Sequence, residues 1–542
     1  MTRLFAIVFC TLLSWPLSAQ LNMTLVGQFD YAFNTNDIWG YMAPNGDEYA
    51  LVGTRRGLSI VSISEDPIHE VAFLEGSNST WRDIKTWGDF AYVSTEAADG
   101  LMVVDLRNLP AEAPFYFWTP EIERPNQPEI FDVLRTIHNV FIDEFGILHI
   151  TGSNVNNGGV IFVDVNTTPG VPSIMGLGPA VYSHDSYGRD SILYSSEIYN
   201  GTLGIYDYSD LSNITLLGVQ ETPFKFTHNA WPSDDSKTVF TTDERGNAPV
   251  TSYDISDFGD IQELDRYVPA ETVGQGVVPH NVHVLNDWLI ISYYADGGKI
   301  VDASRPDNLI EVGNFDTFIN GDPGFGAWGA YPFLPSGKVL ITDSGNGLFV
   351  LSPNYVRAAF LEGTVKGKEE GFGGGSTEVD IFNARVEIID EEVVLPEFSK
   401  EGGVFKTGKA IAGEYLVQIS ADGYQTWEGN VVFENGIVTE LHVVLEPLTT
   451  SVKNDPQIIE QISLFPNPAS IALNIDLQNL TQSIIRMIIS DENGRTMFET
   501  VKINQNQLIQ VPTNQWPPAM YFVRFFAEDG SQISQKIIIG RE

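Results

Sequence analysis

Residues 100–105 read GLMVVD, a glycine followed by four apolar residues and an aspartate, and related units recur along the chain. The others are GLSIVS at 57–62, GVIFVD at 159–164, TLGIYD at 202–207, PVTSYD at 249–254, GGKIVD at 297–302 and GLFVLS at 347–352. Each unit is typical of a short buried strand entered through a tight turn. The aspartate or serine that ends each unit is expected to accept hydrogen bonds from amides of the following turn, which is a structural role.

A second marker precedes each of these units. The marker residues are Trp39, Arg82, His138, His184, His228, His280 and Trp328. Successive markers are separated by roughly 43 to 56 residues, the length of four strands with their turns. No helical pattern separates the units. The repeats therefore predict an all-β chain whose residues 20–356 form a seven-bladed β-propeller.

The two ends of the repeat region predict how the ring closes. Most units finish with an outer strand similar to LIEVGNFDT at 309–317, whereas the seventh unit ends at Ser352 without one. A segment of the same kind, MTLVGQFDY at 23–31, stands before the first unit. We expect this segment to complete the seventh blade, because its pairing there removes an exposed sheet edge.

The repeats resemble the LVIVD-repeat proteins, in particular the family called choice-of-anchor B. The resemblance spans about residues 22–356 and depends on LMVVDL, VIFVDV, HNVFID and PHNVHV. It implies an exported propeller, and it supplies neither a ligand nor a reaction.

The N-terminal segment is typical of a signal peptide covering residues 1–19. Arg3 supplies the positive charge, an apolar stretch follows, and Ala19 ends a small-residue cleavage site. Cys10, the single cysteine of the chain, lies in this segment, so the mature protein is expected to have no thiol chemistry. No later segment is long and apolar enough to predict a transmembrane helix.

Two further domains are predicted after the propeller. Residues 357–447 resemble the carboxypeptidase regulatory-like β-sandwich, and residues 448–460 read as a polar linker. Residues 461–542, with SLFPNPAS, DENGRTM and QKIIIG, resemble the type A sorting domain of the type IX secretion system of Bacteroidetes, a β-sandwich-like domain. That resemblance implies the secretion machinery as a partner and a location in the medium or on the outer-membrane surface.

The charge balance limits the classes of partner. The chain has 30 basic and 71 acidic residues, a formal net charge of −41. Such a surface repels nucleic acid and anionic lipid, which argues against both as partners. It attracts divalent cations, although solubility alone also accounts for it.

Propeller topology predicts where a site would lie. First strands begin at the central channel and second strands end on the same face, so both sets should converge at one mouth. The second-strand ends are Arg55, Glu96, Asn154, Glu197, Asp243, Glu244, Tyr294 and Asp343. The predicted ligand-binding residues are Arg82, Asp83, His138, Asn139, Asp185, Glu197, Asn229, Asp243, Glu244 and Asn281. Three histidines of consecutive blades, His184, His228 and His280, are predicted to ligate a divalent metal such as Zn, Mn, Fe or, with waters, Ca.

Three functions remain open from these residues. The first is a binding module for a glycan, a protein or a metal. The second is a metal-assisted extracellular hydrolase or lyase that uses the His184/His228/His280 cluster. The third is a scaffold in which the repeated histidines only join neighbouring blades. Nucleophile-elbow, phosphate-loop, zinc-protease and dinucleotide motifs are absent from the sequence, so no reaction class is selected.

Overall fold

The structure is a computed structural model that describes residues 20–540 apart from 126, 128, 319–324, 371–375, 391–392, 449–461, 478–483, 492–493, 502, 504–507 and 528–531. The predicted signal peptide and residues 449–460 of the predicted linker lie outside this part of the chain. Strands dominate it, and its helices are single 3-10 turns at Asn156–Gly158, Ala270–Thr272, Tyr294–Asp296 and Glu401–Gly403. Among the described residues no helix is long and apolar enough to cross a membrane.

Seven four-stranded antiparallel sheets fill residues 23–353, and they are numbered here as blades 1 to 7. Blade 1 has Thr35–Met42, Glu48–Thr54, Gly57–Ser62 and His69–Glu75, and blade 2 has Ile84–Trp87, Phe90–Val93, Leu101–Asp105 and Phe115–Trp118. Blade 3 has Asn139–Ile142, Ile147–Thr151, Ile161–Asp164 and Ser173–Leu177, and blade 4 has Ser186–Arg189, Ile192–Glu197, Thr202–Asp207 and Thr215–Glu221. Blade 5 has Thr227–Pro232, Thr238–Asp243, Val250–Asp254 and Gln262–Tyr267, and blade 6 has Pro279–Leu285, Trp288–Tyr293, Gly297–Asp302 and Ile310–Phe315. Blade 7 has Ala327–Tyr331, Val339–Asp343, Gly347–Pro353 and the N-terminal Met23–Phe29, while a hairpin of Glu121–Glu123 and Phe131–Val133 lies between blades 2 and 3. The prediction of an all-β propeller is confirmed.

The N-terminal strand closes the ring as predicted. It pairs antiparallel with the third strand of blade 7, from Met23 opposite Pro353 to Phe29 opposite Leu348. The first and last segments of the propeller thus share one sheet, which leaves Gly347–Pro353 without an unpaired edge.

The aspartates that end the third strands hold the following turns, which confirms their structural role. In each case a carboxylate oxygen accepts the backbone N–H two residues further on. The pairs are Asp105–Arg107 at 3.1 Å, Asp164–Asn166 at 2.8 Å, Asp207–Ser209 at 2.8 Å, Asp254–Ser256 at 2.9 Å and Asp302–Ser304 at 3.0 Å. Side-chain hydrogen bonds from Arg107, Thr167 and Ser209, reinforced by backbone N–H groups, lower the pKa of Asp105, Asp164 and Asp207 respectively. The backbone N–H of Ser256, reinforced by its hydroxyl, lowers the pKa of Asp254.

Neighbouring blades are joined by a repeated hydroxyl contact near the channel. A Ser or Thr late in the second strand donates to the marker carbonyl of the next blade. The pairs are Ser94–His138 at 2.9 Å, Thr151–His184 at 2.8 Å, Thr242–His280 at 2.6 Å, Ser292–Trp328 at 2.7 Å and Thr342–Asn36 at 2.5 Å. This contact fixes the backbone of His138, His184, His280, Trp328 and Asn36, so the side chains that extend from these residues into the channel have defined positions.

The hydroxyl contact also corrects the marker of blade 1. The structure places Asn36 and Asp37 at the position that His280 and Asn281 hold in blade 6, whereas the sequence pattern indicated Trp39. Both pairs lie where the register shifts, between Thr35 and Ile38 and between Pro279 and Val282. The register shift hides the equivalence of Asn36 and His280 from the sequence pattern. Strand spacing alone aligns Trp39 with the histidine and tryptophan markers of the other blades.

A small β-sandwich follows the propeller and belongs to the same compact unit. One sheet has Ser376–Asp380, Ala359–Glu370, Val404–Lys409 and Val438–Leu445, and the other has Glu397–Phe398, Arg385–Ile389, Gly413–Ser420 and Trp427–Phe433. Arg305 of blade 6 donates to both carboxylate oxygens of Glu362 at 2.5 and 2.6 Å. Phe360 joins the apolar core formed by blades 6 and 7. The sandwich is therefore packed against the ring.

The second compact unit comprises residues 423–425 and 446–542. Its strands are Ser463–Phe465, Ala472–Asp476 and Leu508–Pro512 in one sheet, with Thr496–Thr500, Ile484–Asp491, Ala519–Ala527 and Gln532–Ile539 in the other. Leu473, Ile489, Val523 and Ile537 are fully buried between them. This is the β-sandwich-like arrangement that the sequence predicted.

Candidate functional site

Four imidazole rings from consecutive blades form a continuous row at one mouth of the channel. Ring centroids are 4.0 Å apart for His138 and His184, 4.3 Å for His184 and His228, and 4.3 Å for His228 and His280. Trp328 continues the row at 4.8 Å from His280. The repeat builds this row, because each blade presents its marker at the same height on the channel wall.

Three of the imidazoles have a fixed orientation. Nδ1 lies 2.7 Å from Glu96 Oε1 in His138, 2.8 Å from Asp185 Oδ1 in His184 and 2.6 Å from the Trp328 carbonyl in His280. Since these oxygens accept, Nδ1 carries the proton and Nε2 keeps its lone pair, the usual arrangement of a metal-ligating histidine. In His228, Nδ1 has no hydrogen-bond partner and Nε2 lies 3.9 Å from Glu244 Oε2.

Two overlapping groups of side chains have donor atoms close enough for one ion. His138, His184 and Asp185 form one, and His184, His228 and Glu244 form the other, with donor atoms within 4.8 Å of one another in each. Donors of a tetrahedral zinc site lie about 3.4 Å apart, as bond lengths of about 2.1 Å require. Small side-chain rotations would therefore bring either group to ligating distance.

Burial lowers the pKa of three of the four imidazoles, and His184 is the exception. Burial alone would lower the pKa of His184 too, but the hydrogen bond and charge of Asp185 outweigh it and leave that pKa raised. Burial, reinforced by neighbouring imidazoles, lowers the pKa of His138 and takes the pKa of His228 well below its usual value. Burial also lowers the pKa of His280, although Glu244 opposes it. Burial alone would raise the pKa of Asp185, but His228 and His184 outweigh it and hold that pKa below its ordinary range. Neutral imidazole and carboxylate are the forms that bind metal ions.

The residues that follow the markers join neighbouring blades. Asp83 Oδ2 accepts the Val140 N–H at 3.3 Å, and Asn229 Oδ1 accepts the Val282 N–H at 3.1 Å. Asn229 also donates to Asp185 Oδ2 at 3.1 Å. The Asp and Asn side chains that follow the markers thus form an outer set of hydrogen bonds around the row of imidazoles. Such outer hydrogen bonds orient the ligands of metal sites.

A buried ion pair closes the channel beneath these rings. Lys85 Nζ lies 2.7 Å from Asp83 Oδ1, 3.8 Å from Asp37 Oδ2 and 4.4 Å from the ring centre of Trp39. Burial, reinforced by Asp83, raises the pKa of Asp37 well above its usual value. Burial lowers the pKa of Lys85, but the two carboxyl groups outweigh it and leave that pKa raised. The Lys85 ammonium thus lies nearest to the Asp83 carboxyl, with Asp37 as its second acidic neighbour.

The cavity at the mouth has a volume of about 40 Å³. Its lining is Asp37, Trp81, Arg82, Asp83, His138, Asn139, His184, Asp185, His228, Glu244, His280, Asn281 and Trp328. The structure thus places Arg82, Asp83, His138, Asn139, Asp185, Glu244 and Asn281 around one cavity with His184, His228 and His280. Asn229 reaches the group through Asp185. Arg82 is buried, with its Nε donating to the Thr54 carbonyl at 2.9 Å.

Glu197 and Asp243 are not part of this group. Glu197 accepts hydrogen bonds from the Tyr206 hydroxyl at 2.6 Å and from Asn200 and Thr202 within its own blade. Asp243 accepts the Thr222 hydroxyl at 2.6 Å and two backbone N–H groups. Each directly follows the Ser or Thr position that faces the next blade, and adjacent strand residues point to opposite faces.

Sequence reasoning missed Asp37, Trp81 and Lys85 and did not select Glu96. Glu96 lies two residues after Ser94, and Glu244 lies two residues after Thr242; these are the residues whose hydroxyls bond the next blade. The strand period of two therefore separates the carboxylates that reach the mouth from those that do not.

The comparisons with known proteins agree with this architecture. Residues 463–540 match the secretion system C-terminal sorting domain, and residues 80–111 match the LVIVD repeat. The molecule is therefore an exported β-propeller protein. It carries the LVIVD repeat and a sorting domain of the type IX secretion system, which directs it to the cell surface or the medium.

Solved structures with a similar course of the chain are propellers of low identity. The β-propeller domain of Cps50 (Swd1) from Myceliophteria thermophila is 9% identical with a TM-score of 0.41, over 61% of this chain and 100% of that one. The periplasmic gluconolactonase PpgL of Pseudomonas aeruginosa is 12% identical with a TM-score of 0.42, over 58% of this chain and 90% of that one. No curated protein matches the chain.

Proposed function

We propose that this exported propeller is a binding module whose channel mouth holds one divalent metal ion. The observation that carries the proposal is the row of four imidazoles at 4.0–4.3 Å spacing, bordered by Glu96, Asp185 and Glu244. The ion would lie between His184 and one neighbour, His138 or His228. The remaining carboxylates would then balance its charge.

The size of the cavity supports an ion over an organic ligand. Pockets for small organic molecules measure about 300–1,000 Å³, whereas one water needs about 10–15 Å³ of comparable space. A cavity of about 40 Å³ accommodates an ion with one or two waters. Waters completing the coordination sphere would be the positions that an incoming ligand replaces.

The histidines also contact one another across blades, and a purely structural row would do so too. Two features favour the metal. His228 is 3% exposed in its side chain, yet its Nδ1 has no hydrogen-bond partner, which is costly in a structural residue. The fixed tautomers of His138, His184 and His280 leave three lone pairs without a structural use.

Elemental analysis of the purified protein tests the proposal. After loading with Zn²⁺, Mn²⁺ or Ca²⁺ and dialysis, we expect about one ion per chain. The His184→Ala/His228→Ala variant should lose it. The matched control His69→Ala/His442→Ala removes two exposed imidazoles and should retain it.

Two results would contradict the metal site. One is a folded wild-type protein that takes up none of the three ions, which would favour the scaffold. The other is an ion that stays bound in the His184→Ala/His228→Ala variant. Metal-dependent turnover of a polysaccharide, lactone or phosphoester would instead favour the hydrolase or lyase over the binding module.

A further inference from the structure

A second cavity lies at the seam where the ring closes, and it shares no residue with the channel mouth. Its volume is about 340 Å³. It is lined by Phe29, Asp30, Tyr31, Ala32, Phe33, Arg56, Glu70, Phe73 and Glu75. The segment that leaves the closing strand forms one wall, and the outer strand of blade 1 forms the other. We name it the seam groove.

Aromatic rings form a continuous row in the seam groove. Centroids are 5.0 Å apart for Phe29 and Tyr31, 6.1 Å for Tyr31 and Phe33, and 5.8 Å for Phe33 and Phe73. The hydroxyl of Tyr31 donates to Ser59 Oγ at 2.9 Å, and that hydroxyl donates to Glu70 at 2.6 Å. A carboxylate is thereby held in place beside the ring row, which is how a preformed binding site is built.

The charges of the seam groove restrict its ligand. The guanidinium of Arg56 lies 5.5 Å over the Phe33 ring and 3.0 Å from Glu75. A cationic ligand would have to bind over the face of the Phe33 ring. The guanidinium of Arg56 already occupies that position and would repel a second cation. An anionic ligand would meet Asp30, Glu70 and Glu75 in a chain of net charge −41. A neutral ligand with both apolar faces and hydroxyl groups fits this wall.

From these observations we propose that the seam groove binds a neutral pyranose unit of an extracellular glycan. The C–H face of the sugar packs on Phe73 and on the part of Phe33 that lines the groove beside Arg56. Its hydroxyls donate to Glu70 and Glu75 and accept from Arg56. The groove volume is in the range of pockets for small organic ligands, in contrast to the channel cavity.

Calorimetric titration of the full chain with laminarin, xylan and mannan tests this proposal, with alginate as an anionic and choline as a cationic probe. At least one neutral polysaccharide should bind, and alginate and choline should not. Phe33→Ala should weaken binding about ten-fold or more, as loss of a central aromatic contact does. Phe382→Ala removes a 73% exposed phenylalanine of the small sandwich and should bind as the wild type does.

A second variant guards against misfolding of Phe33→Ala. Arg56→Gln/Glu75→Gln changes two exposed side chains, 52% and 75% accessible, and should also weaken binding. His184→Ala/His228→Ala should still bind the polysaccharide, so this proposal and the metal site fail independently. The proposal is wrong if no neutral polysaccharide binds, if binding survives both groove variants, or if alginate or choline binds in their place.

Discussion

Replacing Lys85 by methionine tests the buried charges that close the channel. The side chain is 9% exposed, and its ammonium lies 2.7 Å from Asp83. Methionine keeps most of the apolar stem and removes the charge. The Asp83 carboxyl is then left buried without its cation, with only the Asp37 carboxyl and backbone N–H groups beside it.

The distances set the expected size of the effect. Two unit charges 2.7 Å apart attract by about 6 kcal/mol at an effective dielectric constant of 20. Part of this is offset by the desolvation of Lys85, which its removal relieves. Breaking one side of a buried ion pair costs about 3–5 kcal/mol. We expect Lys85→Met to lower the free energy of unfolding by that amount.

Chemical denaturation followed by tryptophan fluorescence measures this loss, since Trp39 lies 4.4 Å from the ammonium. The double variant Lys85→Met/Asp83→Asn removes both charges and should recover most of the stability, because no buried charge is left unpaired. A second readout is the pKa of His283. Burial and the charge of Lys85 together lower that pKa to about 3. The pKa of His283, followed by NMR, should rise in Lys85→Met.

The reasoning would be refuted by a Lys85→Met protein within about 1 kcal/mol of the wild type. It would also be refuted if the double variant were no more stable than the single one. Either outcome would mean that water reaches Asp83, contrary to its burial.

Three further outcomes follow from the propeller. Thr242→Val removes the hydroxyl bonded to the His280 carbonyl at 2.6 Å and should cost about 1–3 kcal/mol in denaturation, whereas Thr242→Ser should cost less. Asp164 has a lowered pKa in the folded state, so its stabilising contribution is complete above its unfolded pKa of about 3.9 and disappears as pH falls through the folded value. The melting temperature of Asp164→Asn should thus lie below that of the wild type at neutral pH, with the gap narrowing in acid; a gap independent of pH would contradict this. Deleting residues 20–29 leaves Gly347–Pro353 unpaired, and light scattering should show self-association that the intact protein lacks.

The repeated strand could be predicted from sequence because burial and turn chemistry act locally. GLMVVD and its relatives mark the third strands, and the missing outer strand of the seventh unit predicted the pairing of Met23–Phe29 with Gly347–Pro353. The location followed from the motifs of the C-terminal sorting domain in the same way.

The site could be predicted only in outline. Four histidines were recognised, because repeat position alone brings them to one mouth. Asp37 was missed because an irregularity in the strand displaces it from the pattern. Lys85 was missed because its partners come from two blades, and Glu197 was included although its own blade satisfies its carboxylate. The strand period would have excluded Glu197, because it lies one residue after Ser196, whereas Glu96 lies two residues after Ser94.

Closure of the ring by Met23–Phe29 also imposes an order on the folding of the protein. The first strand of the propeller to leave the ribosome has its partner in Gly347–Pro353, so it cannot pair until every other blade has been made. Pairing over such a sequence separation is slow, since the chain between the two strands must be ordered first. An arc of blades with a free edge therefore precedes the closed ring, and the ring closes only after residue 353 has been synthesised.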